Sequence, residues 1–331
     1  MAETAPIAEI AEKLSKELFA EFLWTRTGPI NQDWACLQTD AHDATTHPTD
    51  VVFIYDEPYG RRRTYLQCDL KSYARGSITA GAIKKAVISL SRQVSCAELS
   101  EDWQRLYTTG DGDFDVCGLL FVYNHDGDYD KDFKWIIDQI KWDDLDVPTR
   151  SRLYVIGPDD IRWLDNVRLD IRQMRGAEGA GSLPSREFCS FYYPQLSRKA
   201  NIQNADARAA TLEMLTSPWV TLKYQGENDH DERYVVFARR AADRPEEYEY
   251  LIDYLRHYQC LEKPNCVTVK VLAEGAQSAV VWGQAVERYI RNVVAGNSDS
   301  QFAKIVKSIS FQPMEQMVSR FSSVAIGMND V

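Results

Sequence analysis

The chain has 331 residues, 44% hydrophobic and 26% charged, with a formal net charge of −11. That is the composition of an ordinary globular protein with room for one domain of about 150–180 residues and a second beside it. The acidic balance excludes a protein that coats nucleic acid non-specifically, because phosphate must be neutralised by Lys and Arg.

No apolar run approaches the ~18 residues of a membrane span, and the N-terminus lacks the basic-then-apolar order of a signal peptide. A cytoplasmic protein with no membrane association is expected. The seven cysteines are scattered, several within apolar runs such as Val116-Cys117-Gly118-Leu119-Leu120, and read as reduced core residues.

In chain order, Ile7, Ile10, Leu14, Leu18 and Phe22 recur at three and four residues, which predicts an amphipathic helix over 7–24 ended by Gly28-Pro29. A loop rich in Asp, Thr and His leads to His47-Pro48-Thr49-Asp50. A strand at 51–55, a turn at 56–60 and a returning strand at 64–71 form a hairpin. A helix then runs to about Glu98, with Ser77 or Thr79 near its N-cap and Ile83, Val87, Leu90 and Val94 facing the core. Residues 116–124 read as a strand buried on both faces, 131–141 as helical, and 153–156 as another strand.

Beyond about 160 the pattern changes, with a Gly/Ala/Ser-rich linker or loop from Gly176 to Ser185. A second α/β unit follows, with strands near 218–224, 233–239 and 266–272 and helices near 202–215, 244–259 and 277–294. No internal repeat is visible. The division expected is 1–175 for the first domain and 186–331 for an accessory domain serving assembly, sensing or regulation.

The chemistry concentrates in the hairpin. Asp69 and Lys71 lie two apart on one strand and so project from one face, and Asp50 opens the partner strand. Two carboxylates can hold a hard divalent cation, and a nearby Lys can position or activate water and offset phosphate charge. Acid-x-Lys alone is common: Asp132-Phe133-Lys134 is a second instance, but it sits in an acid-rich loop at a helix start. The competing reading of Asp50, Asp69 and Lys71 is an exposed ion pair at a strand end.

On these residues, 7–98 resemble the core of the PD-(D/E)XK nuclease superfamily, with Pro48-Thr49-Asp50 similar to its first motif and Asp69-Leu70-Lys71 to its second. The resemblance implies a restriction-endonuclease-like αβββαβ core with a mixed sheet, followed here by a second, smaller α/β domain. It also implies a Glu from the first helix as a further metal ligand, Glu17 ahead of Glu12 and Glu21, and a Gln from the helix after the second motif, here Gln93. Thr49 between Pro48 and Asp50, and Ala97 where a Tyr is common, depart from the pattern. Residues 31–36, 47–50 and 69–73 together look similar to nuclease subunits of bacterial anti-phage defence systems, which implies a gating partner protein.

Arg61, Arg62, Arg63, Arg75, Lys84, Lys85 and Arg92 are candidate phosphate contacts, each equally readable as a solvated charge. The expectation is a Mg²⁺- or Mn²⁺-dependent endonuclease acting on DNA, working with a second subunit or as a homo-oligomer. The alternative is a catalytically silent nuclease-like scaffold that docks a partner.

Other signals are set aside. Asp126-Gly127-Asp128-Tyr129-Asp130 lacks the Gly and Glu of a calcium loop. The aromatic stretch Phe188 to Tyr193 suits core packing. Cys260 and Cys266, like His42 and His47, lack sequence partners at zinc-finger spacing, so no zinc is expected. No G-x-S-x-G elbow, P-loop or G-x-G-x-x-G occurs.

Overall fold

The computed structural model describes residues 13, 17–145, 147–179, 181–194, 203–226, 231–272, 277–293 and 300–314. They form two compact units, the first running to Asp165 and taking in 204–209, the second beginning at Asn166.

In the first unit, the helical turn α1 (Phe19–Glu21) buries Phe19, and Phe22 beyond it is buried too. Most of the helix expected at 7–24, including Glu12, lies outside the described residues. Strand β1 (Thr25–Thr27) leads to an excursion of β2 (Gln32–Ala35), α2 (Thr39–His42) and β3 (Thr46–Thr49), in which β2 and β3 pair antiparallel. The sequence reads as a loop here because each strand buries only one or two side chains, too few for a visible alternation.

The expected hairpin is β4 (Val51–Asp56) and β5 (Arg63–Tyr73). Then come α3 (Ala80–Ala97), α4 (Glu101–Tyr107), β6 (Phe114–Asn124), α5 (Phe133–Asp138), β7 (Leu153–Ile156) and the start of α6 (Pro158–Gly176). Thr79 caps α3, its hydroxyl accepting from the Ala82 N–H at 3.2 Å. Ile83, Val87, Leu90 and Val94 all turn inward, as their spacing predicts.

The sheet runs β1-β4-β5-β6-β7, antiparallel as far as β5 and parallel from β5 to β7. Parallel neighbours need crossovers, which α3 with α4, and then α5, supply. Gly118 in central β6 permits close helix packing: a Cβ there would lie 2.5 Å from Leu153 and 3.0 Å from Leu90 and Val94.

The second unit contains β8 (Cys189–Phe191), α7 (Leu212–Thr216), β9 (Trp219–Gln225), β10 (Glu232–Ala238), α8 (Pro245–His257), β11 (Val267–Leu272), α9 (Gln277–Val293), α10 (Gln301–Lys307) and β12 (Ser310–Met314). The helix expected at 202–215 contracts to α7, where the Thr211 hydroxyl accepts from the Met214 N–H at 3.3 Å. The sheet order is β8-β9-β10-β11-β12, antiparallel as far as β10 and parallel thereafter. The strand directions of the first sheet are thus repeated, with helices on both parallel crossovers. Among the described residues no helix is long and apolar enough to cross a membrane.

Candidate active site

Pairing of β4 with β5 sets Val51 opposite Cys68. One residue further out, Asp50 therefore faces Asp69 across the mouth of the pair, on the same side of the ribbon. The Asp50 backbone is pinned by the Asn31 N–H, which donates to its carbonyl at 3.0 Å. Its carboxylate Oδ2 accepts from the Leu70 N–H at 2.6 Å. Asp69 is buried in the sheet, and Lys71, two residues along the same face, places Nζ 2.6 Å from Asp69 Oδ1 while its side chain stays 34% exposed.

Burial, then the neighbouring charge of Asp69, pushes the Asp50 carboxyl up to about 6, against the opposing pull of the Leu70 N–H and the Lys71 ammonium. For Lys71, burial works against the charge, yet the carboxylate of Asp69, by charge and hydrogen bond, and that of Asp50 hold the ammonium above its ordinary value. The site therefore sets a lysine whose charged form is favoured beside Asp50, whose charged form is disfavoured.

Beside these residues lies a buried amide network. Gln67, two residues before Asp69 on the same face, donates to Pro48 O at 3.1 Å and Gln93 Oε1 at 3.0 Å, and accepts from Trp103 Nε1 at 2.9 Å. The Thr49 hydroxyl lies within 3.1 Å of the Gln67 amide and accepts from Trp34 Nε1 at 2.9 Å. Gln93 is thus joined to Gln67, with a longer bond to Ser89 Oγ at 3.4 Å. It braces the Pro48-Thr49 segment that delivers Asp50.

Glu17 forms an ion pair with Lys13 at 3.5 Å. It precedes α1, whose Phe19 packs edge-on against Phe53 and Phe121. These two residues pair with Leu66 and Leu70, so α1 covers the face of β5 opposite Asp69. Glu21 is more deeply buried, at 3% exposure.

The basic residues do not form one strip. Arg63 opens β5, six residues from Asp69, which places the Arg61 to Arg63 turn roughly 20 Å along the strand from the carboxylates. Arg62 grips Asp115 at 2.7 and 2.8 Å, and Arg63 grips Asp56 at 3.0 Å. Arg92 donates to His42 O at 2.9 Å. Arg75, just past the site end of β5, pairs with Asp130 at 2.8 Å, and Lys84 and Lys85 are exposed early in α3. Asp132, of the second acid-x-Lys match, caps α5 by accepting from the Lys134 N–H at 2.9 Å.

The structure also assembles residues that show no pattern in sequence. His42 and His47 meet Cys36 and Cys96 in a fully buried cluster. Three of these lie within twelve residues, but the fourth is supplied by α3, so no contiguous spacing announces the set.

A mixed five-stranded sheet carrying Asp50 just before β4, opposite Asp69-Leu70-Lys71 within the antiparallel β5, defines the first unit as a PD-(D/E)XK nuclease-type domain. Residues 1–160 match the family described as the GAPS4 protein PD-(D/E)XK nuclease domain, and this segment belongs to that superfamily. No curated protein and no solved structure gives a significant match to the chain.

Proposed function

We propose that the chain is a divalent-metal-dependent endonuclease that hydrolyses DNA phosphodiester bonds, with Asp50 and Asp69 holding Mg²⁺ or Mn²⁺. The observation that carries this reading is the opposition of Asp50 and Asp69 beside Lys71. An all-oxygen donor pair whose charges are only partly offset, leaving Asp50 pushed up to about 6, suits a hard cation. By family resemblance a carboxylate from the first helix, Glu17, would be a third ligand; here it pairs with Lys13 and precedes a turn that covers the opposite face of β5, so the cage rests on Asp50 and Asp69. When bound, the ion supplies Lewis-acid stabilisation of the charge developing on phosphate and eases deprotonation of water.

The chain's own residues account for the rest. Lys71, held protonated by Asp69, has no lone pair with which to accept a proton. Its role is to orient the attacking water and offset phosphate charge. Asp69 fixes that ammonium by its 2.6 Å contact. Gln93 and Gln67 keep Asp50 in place through Pro48 and Thr49. Arg75, Lys84 and Lys85 lie toward the site end of β5 and are the better-placed candidates for backbone phosphates.

The likeness of 31–36, 47–50 and 69–73 to defence-system nucleases, together with the family match, supports a role in bacterial anti-phage defence with a second protein gating the activity. The test is plasmid cleavage by the purified chain, alone and with the product of the neighbouring gene, in Mg²⁺ or Mn²⁺. Asp69→Ala and Lys71→Ala each lower cleavage by about 10²–10³-fold or more. Cleavage indifferent to both overturns the assignment. Metal-independent absence of cleavage in every combination favours the silent scaffold.

A further inference from the structure

We propose that Cys36, His42, His47 and Cys96 form a structural Zn²⁺ site that ties the 31–49 excursion to α3. His42 Nδ1 lies 3.3 Å from Cys36 Sγ, 3.3 Å from His47 Nε2 and 3.5 Å from Cys96 Sγ, and all four ligand atoms lie within 4.8 Å of one another. An imidazole nitrogen carries one lone pair or one N–H, so it satisfies one directional partner and not three. Three donors converging on it describe the edges of a coordination polyhedron. Zn–S of ~2.3 Å and Zn–N of ~2.0–2.1 Å in a tetrahedron give edges of roughly 3.3–3.8 Å, which the three distances match.

The surroundings suit the metal as well. Two thiolates and two neutral imidazoles cancel the charge of Zn²⁺, which is what full burial of all four ligands demands. The two thiol protons leave to solvent on binding. The Gln38 N–H donates to Cys36 Sγ at 3.4 Å, and the Leu37 and Gln38 N–H groups also turn toward Cys96, so the sulfurs have the donors that thiolates need. With His42 ligating through Nδ1, its Nε2–H faces Ser95 Oγ at 3.5 Å and fixes the ring. Trp34 lies against His47, with ring centroids 4.9 Å apart.

The role follows from position. His47 is three residues before Asp50, and Cys96 is on the same helix as Gln93. The site would lock the strand that presents one catalytic carboxylate onto the helix that braces it, without touching the reaction. It does not depend on the nuclease reading: Asp69→Ala is expected to abolish cleavage and keep the zinc.

The test is elemental analysis of tag-free, full-length protein. About one zinc per chain is expected, falling to near none in the Cys36→Ser/Cys96→Ser double variant. Should that variant fail to fold, wild type grown on Co²⁺ must show the visible bands of tetrahedral cobalt and a thiolate charge-transfer band. Zinc undiminished in a folded double variant, a different transition metal in its place, or wild type that carries no zinc and gives no such cobalt spectrum overturns the proposal.

Discussion

Asp50 stands directly opposite Asp69 at the mouth of an antiparallel strand pair, with the Leu70 N–H and the Lys71 ammonium set against their two charges. The arrangement makes Asp50 expensive to ionise and gives the fold a pH dependence that a bound cation should remove.

The folded-state pKa of Asp50, about 6, lies above its ordinary 3.8, so the folded protein binds this proton more tightly than the unfolded chain. The stabilising contribution is fully present below the ordinary value and is lost as pH rises through about 6. Without added Mg²⁺ or Mn²⁺, Asp50→Asn should match wild type in Tm at the acid end of that window. Above it the variant should be the more stable, since Asn retains an oxygen for the Leu70 N–H. Near neutral pH, Mg²⁺ or Mn²⁺ should raise the Tm of wild type and leave that of Asp50→Asn unmoved. Parallel melting curves for the two proteins across the range would contradict this.

Gln67 and Gln93 separate bracing from chemistry. Gln67→Leu strands the Trp103 indole N–H, the Gln93 amide and the Pro48 carbonyl, at about 1–3 kcal/mol for each buried group left unpaired. Gln93→Met removes one good bond and should cost about 1–2 kcal/mol in urea unfolding. Cleavage per folded molecule should survive in Gln93→Met. If it disappears there at unchanged stability, Gln93 instead acts on the water or the phosphate.

Periodicity made β4, β5, α3, β6 and most of the second unit's elements legible through their buried stripes, and the short β7 through its run of four apolar residues, of which only Ile156 is fully buried. It missed β2 and β3, which bury too little to show a pattern, although Asn31 and Trp34 there help to seat Asp50 and Thr49. It also left α6 unassigned, even though Ile161, Leu164, Val167, Ile171 and Met174 recur at three and four and are all buried. At the site, a spacing of two put Asp69 and Lys71 on one face, and strand pairing brought Asp50 to them. Spacing said nothing of Gln67, whose role is defined by four partners distant in sequence. Nor did it join Cys96 to His42, 54 residues apart. The basic cluster around Arg61 to Arg63 was a proximity in sequence that an extended strand pulls apart.

In the second unit, Lys270 Nζ lies 2.8 and 3.0 Å from the two carboxylate oxygens of Asp170, with side chains 10% and 3% exposed. Asp170→Ala leaves a buried ammonium unpaired and should cost about 3–5 kcal/mol, whereas the joint change Asp170→Leu with Lys270→Met should be near neutral or stabilising. Chemical denaturation of the single and double variants measures the coupling. Additive losses would mean that the pair interacts weakly despite its geometry.

The topological repeat raises the question of a second active centre, and the register answers it. Where β4 begins at Val51 opposite Cys68, β9 begins at Trp219 opposite Ala238. The positions equivalent to Asp50 and Asp69 are therefore Pro218 and Arg239, whose backbones are joined by a 2.9 Å bond from the Arg239 N–H to Pro218 O. The Arg239 guanidinium turns back to Leu215 O at 2.7 Å and Ser217 O at 3.3 Å, closing the end of α7. A cation beside a proline cannot hold Mg²⁺, so one centre per chain is expected. Asp69→Ala should leave no residual metal-dependent cleavage from the second unit. Arg239→Ala should keep cleavage per folded molecule and lower stability by about 1–3 kcal/mol, as the carbonyls it serves lose their donor. Metal-dependent cleavage that persists in Asp69→Ala and vanishes in Arg239→Ala would place the chemistry in the wrong unit.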